Sequence, residues 1–149
     1  MTYQRCLPPF EWSVFCQKYL GEGIIRAGHV GTIDQLAAVN AKVNRLAAQP
    51  GIQDPTKLDE WLIWPSRAWC HDYAVTKRHE LLSAGWPSST LLLAECFTEQ
   101  HKAHMVLIAN GLVMDNRTPS LLKKTSTGYD WSLPEQQMDD PNHWEKWAD

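Results

Sequence analysis

Cys70 stands in the run Trp69-Cys70-His71-Asp72, near the start of a segment whose pattern predicts a helix. At a helix start the unpaired backbone N–H groups and the helix dipole favour a thiolate. A nucleophilic cysteine needs a base within reach, and the base needs a group that orients it. The stretches Ala103 to Ala109 and Leu112 to Asp115 offer such a pair. Between them lies Asn110-Gly111, the residue pair that best tolerates positive φ at both central positions of a type I′ hairpin turn. A two-residue loop sets Ala109 opposite Leu112 and Val106 opposite Asp115. Side chains alternate along a strand, so His104, Val106 and Asp115 share one face. His104 and Asp115 then become diagonal neighbours, with Cβ atoms roughly 7–8 Å apart or less. That spacing suits an imidazole oriented by a carboxylate. A four-residue loop keeps this parity and a three-residue loop destroys it. Blander readings stand beside these: Cys70 as an inert core thiol, His104 as a satisfied core histidine, Asp115 as the opening of a turn with Asn116. His101 and His104 lack a third ligand at metal-site spacing, so no metal is expected.

The elements that must position these residues follow from periodicity. Glu11 to Leu20 reads as a short helix, with Trp12, Phe15, Cys16 and Tyr19 on one stripe. Thr32 to Gln35 forms a capping box, and a helix is predicted from there to about Gln49, ended by Pro50-Gly51. Residues 51 to 66 read as irregular but packed, because Trp61, Leu62, Ile63 and Trp64 are apolar. A second long helix is predicted from about Arg67 to Ala84, with Gly85 past its end. Its Lys77, Arg78 and Glu80 read as an exposed face, and Asp72 is placed to cap its start. His71 reads as a solvated helix side chain or as a group tuning the thiolate. Thr90 to Thr98 is a strand ahead of the hairpin. The tail after Asn116 is polar, with Tyr129, Trp131, Trp144 and Trp147 as anchors. Helices first and strands second predict an α+β fold, N-terminal helices packed on a small antiparallel sheet.

The chain has 149 residues, the size of one ordinary domain, expected to span 1–149. A 44% hydrophobic and 21% charged composition argues against disorder. The net charge of -3 gives no electrostatic case for nucleic acid or an anionic membrane. No apolar run approaches the ~18 residues of a membrane span. The first residues lack the apolar segment of a secretory signal. A cytoplasmic location is therefore expected, and a phage- or prophage-encoded origin is compatible with it. The four cysteines include no C-x-x-C pair, which excludes a zinc ribbon and a thioredoxin-like motif. A Cys6–Cys16 disulfide stays open for an exported protein, and Cys96 reads as a buried small hydrophobe.

Several blocks carry a closer resemblance. Cys70-His71-Asp72-Tyr73-Ala74-Val75-Thr76-Lys77, Ala103-His104-Met105-Val106-Leu107-Ile108 and Leu112-Val113-Met114-Asp115-Asn116 resemble three blocks of the bacterial transglutaminase-like cysteine proteinases. Those blocks have the forms C-x-D-Y-A-x-x-K, H-x-V-L and L-V-x-D-N. Val39-Asn40-x-x-Val43-Asn44 and Trp12-x-x-Phe15-Cys16 are similar too, as is Asp59-x-Trp61-x-x-x-Pro65 with one extra residue before the proline. The resemblance spans nearly the whole chain. It implies a papain-like or transglutaminase-like fold with the nucleophile at a helix N-terminus. It also implies a triad of Cys70 as nucleophile, His104 as base and Asp115 as orienter. The oxyanion would meet the Cys70 N–H and a second donor, for which the indole N–H of Trp61 or Trp64 is the candidate. Trp61, Trp64 and Trp69 are the expected cleft walls.

One departure concerns calcium. Members that cleave biofilm adhesins in the periplasm carry an Asp-Cys-Glu run at the nucleophile and bind calcium there; here Trp69 and His71 take the flanks. Calcium wants oxygen ligands, so that site is expected to be absent. The activity implied is a cysteine hydrolase acting on a peptide or isopeptide bond of a protein or peptide substrate, with no cofactor. An acyl transferase on the same machinery and an inactive binding module on the same fold are the alternatives.

Overall fold

The structure is a computed structural model, and it describes residues 2–50 and 59–148. The chain opens with strand β1 (Thr2–Cys6), followed by helices α1 (Phe10–Lys18) and α2 (Ile33–Val43). Two short strands, β2 (Ala47–Ala48) and β3 (Arg67–Ala68), lead into helix α3 (Cys70–Ser83). Then come β4 (Leu91–Phe97), β5 (Ala103–Ala109), β6 (Leu112–Met114), β7 (Glu135–Gln136) and β8 (Trp144–Ala148). One antiparallel sheet runs in the order β1-β8-β7-β4-β5-β6, and β2 pairs with β3 in parallel. The α+β class is as the sequence predicts. The sheet is twice as wide as the three strands read from it, because β1, β7 and β8 were not legible. Thr2 pairs with Ala148 and Tyr3 with Trp147, so the tail is sheet rather than a loose cover. The Tyr3 and Trp147 rings meet at 4.5 Å.

Helix α3 is the element on which the cleft is built. Its start is held by the Asp72 carboxylate, which accepts the Trp69 N–H through Oδ2 at 3.0 Å. Its end is a Schellman turn: Gly85 at φ +99° lets the Trp86 N–H reach Leu81 O and its own N–H reach Leu82 O. The predicted start at Arg67 is two or three residues early, since Arg67 and Ala68 pair with Ala47 and Ala48 instead. Those pairings also shorten α2, which stops at Val43 rather than near Gln49. Asn44 leaves the helix there and donates its amide to Asp115 O at 3.1 Å. Of the segment read as irregular, residues 51–58 lie outside the described residues.

One face of the sheet packs on α1 and α3 through Trp12, Phe15, Leu81, Leu93, Leu107 and Trp144, all buried. The other face gathers Ala94, Val106, Ile108 and Val113 beneath Trp131. Cys96 is fully buried, and Cys6 and Cys16 are both free thiols. Among the described residues no helix is long and apolar enough to cross a membrane.

The reading of Lys77 and Arg78 as an exposed face is wrong: they are 0% and 1% exposed. α3 is enclosed by the sheet and by α2, so its polar positions from His71 to Arg78 are interior, while Glu80 stays partly exposed. Arg78 donates to Glu22 O at 2.8 Å, lies 3.7 Å from the Glu22 carboxylate and sits 5.3 Å over the Trp12 ring. Removing one partner of a buried ion pair strands the other charge, which costs about 3–5 kcal/mol. Glu22→Ala is therefore expected to lower unfolding free energy by about that amount in urea titration; a loss under ~0.5 kcal/mol, the range of ordinary surface changes, would contradict this.

Candidate active site

Cys70 is the first residue of α3. Its side chain opens into a cleft of about 240 Å³ that Trp61, His71, Glu95 and His104 also line. Alternation assigns His104 to the Val106 face of β5, away from the Leu107 face on which α3 packs. It shares the cleft with Cys70 because it is the second residue of its strand, at the sheet rim, where the cleft borders both faces.

The hairpin has the predicted register: Ala109 pairs with Leu112, Ile108 with Val113 and Leu107 with Met114. Asn110 and Gly111 both have positive φ, at 48° and 85°. The next residue, Asp115, therefore shares the face of His104, and its Oδ1 lies 2.8 Å from His104 Nε2. Two further donors fix the carboxylate. The Arg117 N–H donates to Oδ1 at 3.0 Å, and the Tyr129 hydroxyl donates to Oδ2 at 2.6 Å. Arg117 in turn donates to the Tyr129 hydroxyl at 3.2 Å and pairs with Glu99 at 2.9 Å. The Tyr129 ring meets the His104 ring edge-on at 5.8 Å. With Nε2 engaged by Asp115, Nδ1 is the ring nitrogen left for the sulfur.

These contacts set the charges. Burial pushes the Asp115 carboxyl up, but the His104 bond and charge and the Tyr129 and Arg117 donors carry it down to about 2. Burial pulls His104 down, but Asp115 and Cys70 raise it to about 9. Burial raises the Cys70 thiol, and the imidazoles of His104 and then His71 beside it bring it to about 6. At neutral pH the pair is an imidazolium beside a thiolate, the reactive form of a cysteine.

Of the tryptophans, Trp61 is 4% exposed and lines the Cys70 cleft. Trp64 is 39% exposed and packs under the Lys42 ammonium at 5.4 Å, outside the lining of that cleft. Trp69 lines a neighbouring depression with His71 and Asp72. His71 is not a solvated side chain: it is 8% exposed and stacks on Trp61 at 6.2 Å and 22°. Burial lowers its pKa, and Cys70 and Asp72 more than reverse that. Glu95, half-buried and near Glu11 and Cys70, is raised to about 7, chiefly by loss of solvent. Sequence reasoning did not assign Tyr129 to the site; its only signal was an aromatic in a polar tail. Glu95 had none beyond sitting in a predicted strand.

A family model described as bacterial transglutaminase-like cysteine proteinase matches residues 2–149. The chain belongs to that family. No curated protein matches it. Among solved structures, Legionella pneumophila LapG in its calcium-bound form is similar with a TM-score of 0.58 at 23% identity, over 68% of this chain and 63% of that one. The EGTA-treated form gives 0.56 at 23% identity, over 66% and 60%. The chain thus spans about three fifths of the length of those structures. The likeness establishes a transglutaminase-like fold for this proteinase-family chain.

The charge pair has a thermodynamic signature. His104, raised from 6.5 to about 9, contributes stability that is complete below pH 6.5 and lost as pH rises through 9. Cys70, lowered from 9.0 to about 6, contributes stability that is present above pH 9 and lost as pH falls through 6. Over the shared window the two slopes are opposite and cancel, because folded and unfolded chains hold one proton each on the pair. Cys70→Ala unmasks the histidine. Its unfolding free energy is expected to fall from pH 6.5 upward, by at most about 1.4 kcal/mol per pH unit, relative to the wild-type profile. The slope that survives is the part of the His104 shift that Asp115 supplies, so parallel profiles for the two proteins would contradict the hold of Asp115 on the imidazolium.

Proposed function

We propose that residues 1–149 form a single cysteine peptidase domain that cuts a peptide or isopeptide bond through Cys70, His104 and Asp115. The observation that carries this reading is the Asp115 carboxylate. Three donors hold it, one of them the imidazole that shares the Cys70 cleft. A carboxylate so fixed sets the ring orientation and stabilises the imidazolium.

The Cys70 thiolate attacks the carbonyl carbon, and the C=O electron pair moves onto oxygen. The Cys70 backbone N–H donates to that oxyanion. The indole N–H of Trp61, which lines the cleft, is the second donor we favour over Trp64. Removing one such donor typically costs ~10²–10³ in rate. The intermediate collapses, the C–N bond breaks, and His104 gives its proton to the leaving amine. A thioester remains on Cys70. Neutral His104 then takes a proton from water, hydroxide adds to the thioester, and the acid leaves as the thiolate is restored beside the imidazolium. An amine in place of water would make the same site an acyl transferase, which an amine-incorporation assay separates from hydrolysis.

Calcium does not fit the flanks of the nucleophile. The neighbouring side chains are an indole and an imidazole, poor ligands for a hard cation. The Asp72 carboxylate already accepts the Leu62 N–H at 2.8 Å and the Trp69 N–H at 3.0 Å, and although Glu11, Asp59 and Glu95 line the Cys70 cleft, no three acidic, histidine or cysteine side chains among the described residues are grouped to hold a metal ion. We therefore read the activity as independent of calcium.

The test is cleavage of a peptide library read by mass spectrometry. Wild-type protein is expected to release products and to carry a thioester on Cys70 when quenched with acid. Cys70→Ala is expected to release none, and EGTA to leave the wild-type rate unchanged. Equal cleavage by Cys70→Ala would overturn the nucleophile, and a rate abolished by EGTA and restored by calcium would overturn the calcium reading.

A further inference from the structure

Four buried polar atoms have no hydrogen-bond partner among the described residues and complement one another. They are the Lys77 ammonium and the amide oxygens of Asn40, Asn44 and Asn116. Lys77 and Asn40 are both 0% exposed. The orientation of two amides is fixed by what they already bind. Asn40 Nδ2 donates to Thr118 O at 3.1 Å and to Pro119 O at 3.4 Å. Asn44 Nδ2 donates to Asp115 O at 3.1 Å and to Thr118 O at 3.4 Å. Carbonyl oxygens only accept, so the nitrogens must face the 115–119 segment and the amide oxygens are left over. Lys77 carries three donors and no acceptor. A buried acceptor left bare costs about 1–3 kcal/mol, and a bare ammonium more.

Asn40 and Asn44 share Thr118 O, Asn44 and Asn116 line one depression, and the Lys77 ammonium lies 6.0 Å from the Tyr73 ring, which packs on Val39 and Val43 of α2. Asn40 on α2 and Asn44, the residue that caps its end one turn on, both face the 115–119 segment. Asn116 is inside that segment. Lys77 is two turns along α3 from Cys70, on the same side of the helix. The Asp115 carboxylate acts on the Lys77 charge, opposing the burial that draws the lysine down to about 7.

We propose that Lys77 is a positioning residue: its ammonium is shared, through enclosed water, among the amide oxygens of Asn40, Asn44 and Asn116, and pins the 115–119 segment so that Asp115 faces His104. The proposal rests on the triad reading above. It gives a role to motif residues that bond formation and cleavage leave unused. α3 then serves the site twice, with the nucleophile at its first residue and the clamp two turns below.

Side-chain nitrogen NMR on the whole chain tests it. Wild type is expected to show one slowly exchanging lysine ammonium signal at pH 6 that disappears in Lys77→Met. Asn116→Ala is expected to speed its exchange about tenfold, the effect of one lost hydrogen bond. In Lys77→Met the hydrogen-bonded Nε2–H signal of His104 is expected to vanish or move. Val75→Ala, which thins the core elsewhere, is expected to keep it, so that loss of stability alone is not mistaken for loss of position. If Lys77→Met does not fold, Asn116→Ala carries the same comparison. No slow ammonium signal in wild type, or a folded variant with an unchanged His104 signal, would overturn the clamp. A wild-type spectrum with the ammonium but no bonded His104 Nε2–H would instead overturn the triad and leave the ammonium cluster standing.

Discussion

The hairpin between β5 and β6 turns on two residues, Asn110 and Gly111, both with positive φ. That turn length sets the register, and the register sets parity. His104 and Asp115 share a face only because Leu107 pairs with Met114 and Ile108 with Val113. A slip of one residue would send Asp115 to the opposite face and flip every side chain of β6 with it. The 2.8 Å contact between imidazole and carboxylate, the Tyr129 donor behind it and the charge on His104 all depend on that register.

The rest of the fold brings Cys70 to this pair. α3 lies on the sheet with its N-terminus at the rim where β5 begins, and Asp72 ties that end to Trp69 and to the backbone of Leu62. The Asp72 carboxylate thus couples the helix that begins at Cys70 to the loop that carries Trp61. A thiol in so buried a place would ordinarily stay protonated. The proton instead sits on His104, where Asp115 holds it. The site therefore separates charge without changing its total, and pH stability of the intact protein conceals what single variants expose.

The locally encoded parts were legible in the sequence. The type I′ turn, the strand on either side of it and the Gly85 end of α3 each depend on residues close together in the chain. Alternation then sufficed to place His104 beside Asp115. The non-local parts were not legible. β1 pairs with β8 across almost the full chain length, and β7 is two residues long, so neither announces itself by periodicity. Lys77 and Arg78 look like surface residues until Glu22, Trp12 and α2 are in place around them. Charged residues are seldom fully buried, and the partners that permit it come from distant segments. His71 misled in the same way, because the Trp61 ring that covers it comes from the preceding loop. Tyr129, in a polar tail, reaches Asp115 only once the 116–134 segment folds back across the sheet.

The central claim is that Cys70 is a thiolate because His104 is its imidazolium partner. The most direct measurement is the pH dependence of Cys70 alkylation by iodoacetamide, read by peptide mass spectrometry in wild type and His104→Ala. The account predicts a wild-type midpoint near the value of about 6 set by these contacts, and a midpoint in the variant at or above the ordinary thiol value of ~8.5. A wild-type midpoint at that ordinary value, or an unchanged midpoint in His104→Ala, would contradict it.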